Sequence, residues 1–203
     1  MSATSPDYFS PESVQKLHFT SNSIRNTTLA NQDDSLYYEV VTRFWHPKLT
    51  KVNVLDPETQ IMRLVAEIEQ VTGSKWRHGR YRVRFLNSVA NGEELGSWIS
   101  DIDFLRPSSN GVGGNFIDPQ GNEYRWKTHN RRLQLIRIDD ESKAPLIVYE
   151  PHIRYFLLLR MARHASWHMQ PQVEGFLDRL LVSYILVERR RRAARDMIDR
   201  IVA

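Results

Sequence analysis

Alternation of apolar and polar residues runs through most of the chain and predicts β-strands. In "GRYRVRFLN" every second residue from Tyr81 to Phe85 is apolar or aromatic, and arginines fill the positions between them. Patterns rich in aromatic and β-branched residues recur in "KLHFT", "SLYYEVVTRFW", "LQLIRI" and "PLIVYEP". Turn signals separate such stretches about every ten residues, a rhythm typical of an all-β sandwich or barrel.

Two stretches predict hairpins. "LTKVNVLDPETQIMRLVAEIEQV" turns at "DPET", and a second hairpin turns at "DPQGN" between Phe116 and Trp126. Propensity alone would also allow a helix at residues 60–71, but the strand-like spacing around it favours a strand. We also predict strands for "GSWISDIDFL" and residues 166–169, whereas residues 153–163 are compatible with a helix or with two strands.

The C-terminal segment has a different periodicity and predicts a helix over about residues 174–200. In "FLDRLLVSYILVERRRR" apolar residues fill nearly every face of the first half, so that half must be buried on all sides. The economical arrangement is a closed antiparallel β-barrel with the helix through its centre, and residues 189–192, four arginines, then mark where the helix leaves it. The apolar run is too short for a membrane span, which takes about 20 residues.

Composition narrows the class of protein. Hydrophobic residues make up 41% of the chain and charged residues 26%, which excludes wholesale disorder. The net charge of +4 permits acidic partners without identifying one. The absence of cysteine excludes disulfides and thiolate chemistry. The N-terminus lacks a secretory pattern. We therefore predict a flexible lead-in at residues 1–14, a single domain at residues 15–203, and a cytoplasmic protein.

Five stretches resemble a known family: "SLYYEVVTR", "RLVAEIEQ", "DPQGNEYRWK", "APLIVYEP" and "FLDRLLVSYILVERRRR". Together they span roughly residues 15–195 and resemble a fungal family of uncharacterised domains in the tubby C-terminal-like superfamily. That superfamily also contains the tubby proteins, the phospholipid scramblases and the LURP-one-related proteins of plants. The resemblance implies a β-barrel closed around a hydrophobic C-terminal helix. Two departures are the apolar stretch at residues 153–163 and the amphipathic tail after Arg192.

The resemblance also implies activities. Tubby proteins bind phosphoinositide headgroups through basic side chains on the barrel exterior, and scramblases are associated with membranes and calcium. The basic residues of this chain do not align one by one with a tubby lipid site, and a terminal membrane-spanning segment of the scramblase kind is not found. What the resemblance implies is therefore contact with anionic lipid, without an assigned site.

The candidate ligand-binding residues are basic and stand among aromatic ones. Guanidinium groups suit phosphate as bidentate donors, and lysine serves as a point charge. Trp76 and Tyr81 are placed to lie at the level of a lipid headgroup or to stack on a base. The alternative is a solvated outer strand face. The candidates are Lys75, Arg77, Arg80, Arg82, Arg84, Arg125, Lys127, Arg131 and Arg132.

Other motifs have structural explanations. The arginines at residues 189–192 suit anionic lipid or nucleic acid. The simpler interpretation is that they lie where the helix leaves the barrel and pair with Glu188 and Asp196. "HASWH" spaces His164 and His168 as a metal pair would be, yet it lacks the glutamate of zinc proteases. "NGVGGN" is not followed by the Lys-Ser/Thr of a phosphate loop. We therefore predict no catalytic residue, no metal site and no cofactor.

The sequence thus predicts a non-enzymatic binding module. The expected partner is anionic phospholipid or phosphoinositide, met peripherally at a membrane surface. The first alternative is a protein-interaction scaffold or homo-oligomer that uses residues 193–203. Nucleic-acid binding is the weaker alternative.

Overall fold

The computed structural model describes residues 14–71, 80–89, 92–108, 113–130, 132–152 and 163–202. Within these residues the chain forms fourteen strands and two α-helices. The strands are β1 (Gln15–Phe19), β2 (Asn26–Ala30), β3 (Tyr37–Thr42), β4 (Leu49–Leu55), β5 (Met62–Val71), β6 (Arg80–Val89), β7 (Gly92–Leu95), β8 (Ile99–Ser100), β9 (Arg106–Pro107), β10 (Gly114–Ile117), β11 (Glu123–His129), β12 (Arg132–Arg137), β13 (Pro145–Glu150) and β14 (Ser166–Met169). Helix α1 is Asp101–Phe104, and a 3-10 helix at Pro171–Phe176 leads into α2, Leu177–Val202.

The strands form one antiparallel sheet in which most sequence neighbours pair. The order is β7-β6-β5-β4-β3-β2-β1-β14-β13-β12-β11-β10-β9, and β8 pairs with β6 at the side. Strand β14 joins the two halves because it pairs with both β1 and β13. The chain is therefore mostly β with one long C-terminal helix, as the alternating pattern predicts.

Helix α2 is the core of the molecule. Residues 180–188 are all buried, and nine consecutive buried residues exceed two helical turns, so every face of this part is covered. The Tyr184 ring lies 5.1 Å from that of Trp167 on β14 and 5.5 Å from that of Phe19 on β1. The Trp126 indole N–H on β11 donates to Ser183 Oγ at 2.8 Å. These contacts confirm the predicted core helix.

The predicted closure of the barrel is not confirmed. Over the described residues the ladder has two ends, β7 and β9, and no hydrogen-bonded pairing joins them. Aromatic side chains bridge part of this seam instead, because the Phe104 ring of α1 lies 5.2 Å from Phe85 on β6 and 6.1 Å from Phe116 on β10. The sheet wraps around α2, and the aromatic contacts that link β6, α1 and β10 span part of the gap between the end strands β7 and β9.

Local chemistry explains where the strand prediction succeeds and where it is wrong. Strands β4 and β5 form the predicted hairpin, which excludes the helical alternative at residues 60–71. The predicted strand at "GSWISDIDFL" ends after Ser100, because the Ser100 hydroxyl accepts from the Ile102 N–H and caps α1. Residues 1–13 and 153–162, and with them most of the predicted lead-in and of the open stretch, lie outside the described residues.

The second predicted hairpin has a turn built around one carboxylate. Asp118 accepts from the backbone N–H of Gln120 at 2.8 Å and of Asn122 at 2.9 Å, while the Tyr124 hydroxyl donates to it at 3.2 Å. Gly121 has φ +89°, a conformation that glycine adopts without a Cβ clash. This turn sets the register that buries Tyr124 and Trp126.

Candidate functional site

The end of the molecule at which α2 leaves the sheet collects several basic residues. We call it the exit end and define it by the connection at residues 20–25, the connection at residues 43–48 and the start of the arginine run at Arg189. Antiparallel pairing puts both connections at the same end of the sheet as the end of β13. Arg189 reaches Thr50 at the start of β4, and Arg192 reaches the Asn22 carbonyl, so the helix exits between these connections.

The first two arginines of the run fasten α2 to the sheet. Arg189 Nη2 donates to Thr50 Oγ1 at 2.6 Å, and its guanidinium carbon lies 4.6 Å from the centroid of the Tyr81 ring. Burial lowers the pKa of Arg189. Arg190 Nη2 lies 3.2 Å from Asp101 Oδ2 and donates to the Leu105 carbonyl at 3.2 Å. Both guanidinium groups are therefore engaged in contacts within the fold.

The last two arginines share one buried carboxylate. Arg191 and Arg192 each lie 3.1 Å from an oxygen of Glu188, and Arg192 also donates to the Asn22 carbonyl at 2.8 Å. Pairing with Glu188 is therefore confirmed. Among the described residues Asp196 forms no ion pair, and its side chain is exposed. Residues 189–192 are therefore the partly exposed end of the core helix, and they do not form a cationic tail free of partners.

The connection at residues 43–48, "RFWHPK", projects from the exit end. All six residues are exposed, with Phe44 at 93% and Trp45 at 64% of full exposure. Its backbone is folded into two turns, since the His46 N–H donates to the Arg43 carbonyl at 3.0 Å and the Leu49 N–H to the His46 carbonyl at 3.1 Å. The exposed pair was not predicted from the sequence. Adjacent aromatics beside Pro47, between two alternating strands, were the available signal.

The predicted basic face on β6 is neutralised by its neighbour β5. Arg82 Nε donates to Glu69 Oε2 at 2.6 Å, and Arg84 Nε donates to Glu67 Oε2 at 2.6 Å. The two guanidinium carbons also lie 4.6 and 4.5 Å from the Trp98 ring centroid. This arrangement brings Arg82 and Arg84 together, but as a cross-strand ladder of ion pairs with an aromatic side chain over it.

The second predicted group lies on β11 and β12. Arg125 is exposed and donates to Asn115 Oδ1 at 3.0 Å, and Lys127 is half-buried on the same strand face. Arg132 Nη1 lies 3.9 Å from Glu150 Oε1. Lys75, Arg77 and Arg131 lie outside the described residues, and Arg80 is described only as the first residue of β6. Strands β6 and β11 do not pair, so the described candidates form two separate groups.

Glu150 at the end of β13 is the carboxylate around which several cationic groups gather. Arg163 donates to it at 2.8 Å, and His168 Nε2 lies 3.3 Å from the same oxygen. The proximity of His168 is the largest cause that lowers the pKa of Glu150, to about 2, and Arg163 and Arg132 lower it further, against the opposing effect of burial.

His164 and His168, whose spacing resembles that of a metal pair, lie before and on β14. His168 lies on β14, whereas His164 precedes the strand and its ring lies 6.0 Å from that of His152. Within the described residues no group of three or more His, Cys, Asp or Glu side chains could hold a metal ion. The side chains of Arg132, Arg163 and His168 around Glu150 stabilise its carboxylate and do not favour a bound metal cation.

An antiparallel sheet wrapped around a buried C-terminal helix defines the class of fold. The chain belongs to the family described as "Family of unknown function (DUF6593)", which matches residues 22–193. Comparison with curated proteins and with solved structures gave no match. None of the described helices has the length and apolar character needed to cross a membrane.

Proposed function

We propose that this protein is a non-enzymatic module that binds anionic phospholipid or phosphoinositide peripherally at the cytoplasmic surface of a membrane. We also propose that its sheet around α2 is a barrel of the tubby C-terminal-like type, related to the fungal family that the sequence resembles. The described strands and buried helix support that relationship, although the hydrogen-bonded ladder is open between β7 and β9. The lipid proposal rests on the distribution of charge along the molecule.

The connections at the two ends of the sheet differ in charge. The opposite end, which we call the far end, consists of the connections at residues 31–36, 56–61, 118–122 and 138–144. Those connections contain one cation, Lys143, and the carboxylates Asp33, Asp34, Asp56, Glu58, Asp118, Asp139, Asp140 and Glu141. The exit-end connections at residues 20–25 and 43–48 contain Arg25, Arg43 and Lys48 and no carboxylate.

This polarity supports an orientation with the exit end toward an anionic surface. A basic residue close to such a surface contributes about 1 kcal/mol of attraction, and the acidic far end would be repelled from it. Arg25 and Arg43 are both exposed. The outer face of β6, by contrast, offers Arg82 and Arg84 that already pair with Glu69 and Glu67. The exit end is therefore the better candidate for the lipid-facing surface, and the predicted strand faces are the weaker one.

Co-sedimentation with vesicles tests the proposal. Neutral, phosphatidylserine and phosphoinositide vesicles are compared at low and physiological salt. The double charge reversal R25E/R43E should weaken binding to acidic vesicles by about tenfold or more, given about 1 kcal/mol per basic residue. The matched control R63E/K143E makes the same change in net charge at exposed positions toward the far end and should bind like the wild type.

Three outcomes would contradict the proposal. Absence of binding to every vesicle removes the lipid function. Equal loss in both double variants would mean that net charge alone drives adsorption. Loss in R82A/R84A but not in R25E/R43E would move the lipid-facing surface to β6.

A second candidate function has one specific observation in its favour. Met197 and Ile198 on the C-terminal part of α2 are 61% and 60% exposed, which suits a protein-interaction scaffold or homo-oligomer built on residues 193–203. The scaffold function, unlike the lipid proposal, gives no account of the charge difference between the two sets of connections.

A further inference from the structure

We infer that the loop at residues 43–48 is a membrane-insertion element, in which Phe44 and Trp45 enter the interfacial layer of an anionic bilayer. This inference rests on the proposed lipid function and specifies how binding occurs. It predicts contact with the bilayer itself rather than with a soluble headgroup.

The first observation is the exposure of two large aromatic side chains in sequence. Phe44 and Trp45 are 93% and 64% exposed, whereas the aromatic side chains around α2, such as Trp126 and Trp167, are 1% and 0% exposed. Among the described residues Tyr37, Tyr81, Phe85 and Trp98 are half-buried and the remaining aromatic side chains are buried, so this pair is the exception that is left exposed to water. Exposed apolar surface of this kind marks an interaction site.

The second observation is that the loop is held in shape. Arg25 Nη2 donates to the Pro47 carbonyl at 2.8 Å and ties the connection at residues 20–25 to it. At its base the hydroxyls of Thr42 and Thr50 lie 2.8 Å apart, and Arg189 of α2 donates to Thr50. The core helix thus supports the base of the loop, and little conformational entropy remains to be lost when the tip binds.

The third observation is the chemistry of the surroundings. Tryptophan is favoured at the membrane interface because its ring is apolar and its N–H is polar. The guanidinium carbon of Arg43 lies 5.3 Å from the centroid of the Trp45 ring, and Arg25 is exposed on the neighbouring connection. Cations flank the aromatic tip, and the two connections contain no carboxylate, so the surface complements anionic headgroups.

These features together select a bilayer as the occupant. The aromatic pair stands on a projecting turn, with charged residues beside it rather than a polar rim of both signs. Insertion would bury both rings among lipid chains while the arginines remain at headgroup depth, a division that long basic side chains permit.

The absence of cysteine from the chain makes a direct test possible. The variant F44C is labelled with the environment-sensitive fluorophore NBD, and I61C provides the matched control. Ile61 is an exposed apolar residue at 65% exposure, in a far-end connection. With phosphatidylserine or phosphoinositide vesicles, NBD at position 44 should shift to the blue and be quenched by lipids carrying a quencher near the top of the acyl chain. NBD at position 61 should change in neither respect.

A pair of unlabelled variants completes the test. F44A/W45A should bind anionic vesicles about tenfold more weakly or worse, because each ring contributes partial burial of a large apolar side chain. I61A/M62A, with Met62 also exposed, should bind like the wild type. Soluble inositol phosphate should not produce the shift at position 44.

The outcomes separate the inference from the function on which it rests. Wild-type binding with an unchanged NBD signal at position 44 and full binding by F44A/W45A would overturn insertion and leave the lipid function standing. Failure of the unlabelled wild type to bind any vesicle would overturn both. A shift at position 44 together with the loss in F44A/W45A supports the inference.

Discussion

At the scale of single residues, the partner of each guanidinium decides what it does. Arg190 is occupied by Asp101 and by backbone carbonyls, and Arg82 by Glu69, so neither offers a cationic group without a partner. Arg43 instead lies beside an exposed ring, with no carboxylate in its connection. A count of basic residues along the sequence cannot separate these two situations, because the acids that neutralise them are far away in sequence.

Glu150 supplies a prediction at this scale. Its pKa is held near 2, below the 4.5 of an unperturbed glutamate, chiefly by His168 and further by Arg163 and Arg132. A depressed carboxyl pKa stabilises the folded state above about pH 4.5, and this contribution is lost as the pH falls toward 2. E150Q should therefore lower the free energy of unfolding at pH 7 by about 1 kcal/mol, allowing for solvent screening.

Chemical denaturation between pH 7 and pH 3 measures this effect. The difference between wild type and E150Q should shrink steadily below about pH 4.5. E141Q serves as the control because Glu141 is an exposed carboxylate in a far-end connection. A constant difference across the pH range would show that the carboxylate of Glu150 does not have the depressed pKa.

At the scale of elements, α2 determines both the packing of the core and the position of the base of the loop at residues 43–48. The sheet is ordered around its residues 180–188, and its last core turn positions the base of the loop at residues 43–48 through Arg189 and Thr50. The same helix thus provides the hydrophobic core and a fixed support for the proposed lipid-facing surface. A change within the helix should affect both folding and function.

Charge within α2 tests this role. L181R or I185R places an unpaired charge where the side chain is 1% exposed, at a cost of several kcal/mol that approaches the whole stability of a domain. We expect either variant to fail to fold, as judged by circular dichroism and thermal melting. A193R, at an exposed position of the same helix, should melt like the wild type. A soluble L181R that melts cooperatively would contradict the central-helix arrangement.

At the scale of the whole molecule, the connections at the two ends of the sheet differ in charge. The far-end connections contain eight carboxylates and one cation, whereas the charged residues of the two exit-end connections are all cations. The modest net charge of +4 conceals this polarity. Long-range attraction would orient the exit end toward an anionic surface before any contact forms. Short-range insertion of the aromatic tip would then follow.

The state of assembly distinguishes the two candidate functions at this scale. On the lipid proposal we expect sedimentation velocity to give one species whose size does not depend on concentration. M197D/I198D should sediment in the same way. Concentration-dependent growth of the wild type that this variant abolishes would favour the scaffold function, since those two exposed side chains would then form the contact.

Much of the element structure could be predicted from the sequence. Alternation at residues 81–85 places Val83 inward at 0% exposure, and the "DPET" and "DPQGN" turns lie where the hairpins turn. The nearly all-round apolar surface of residues 180–187 required a buried helix, which was confirmed. These are local properties, because periodicity and turn chemistry depend on residues a few positions apart.

The rest was decided by tertiary structure. The single turn α1, in place of a predicted strand, depends on a Ser100 cap and on Arg190 reaching Asp101 across 89 residues of sequence. The neutralisation of Arg82 and Arg84 depends on the β5–β6 register, and Phe104 contacts both Phe85 and Phe116 near the open ends of the ladder. The charge polarity and the projecting Phe44–Trp45 pair arise only when antiparallel pairing brings distant connections to the same end. Such features follow from contacts between residues far apart in the chain, which a local pattern does not encode.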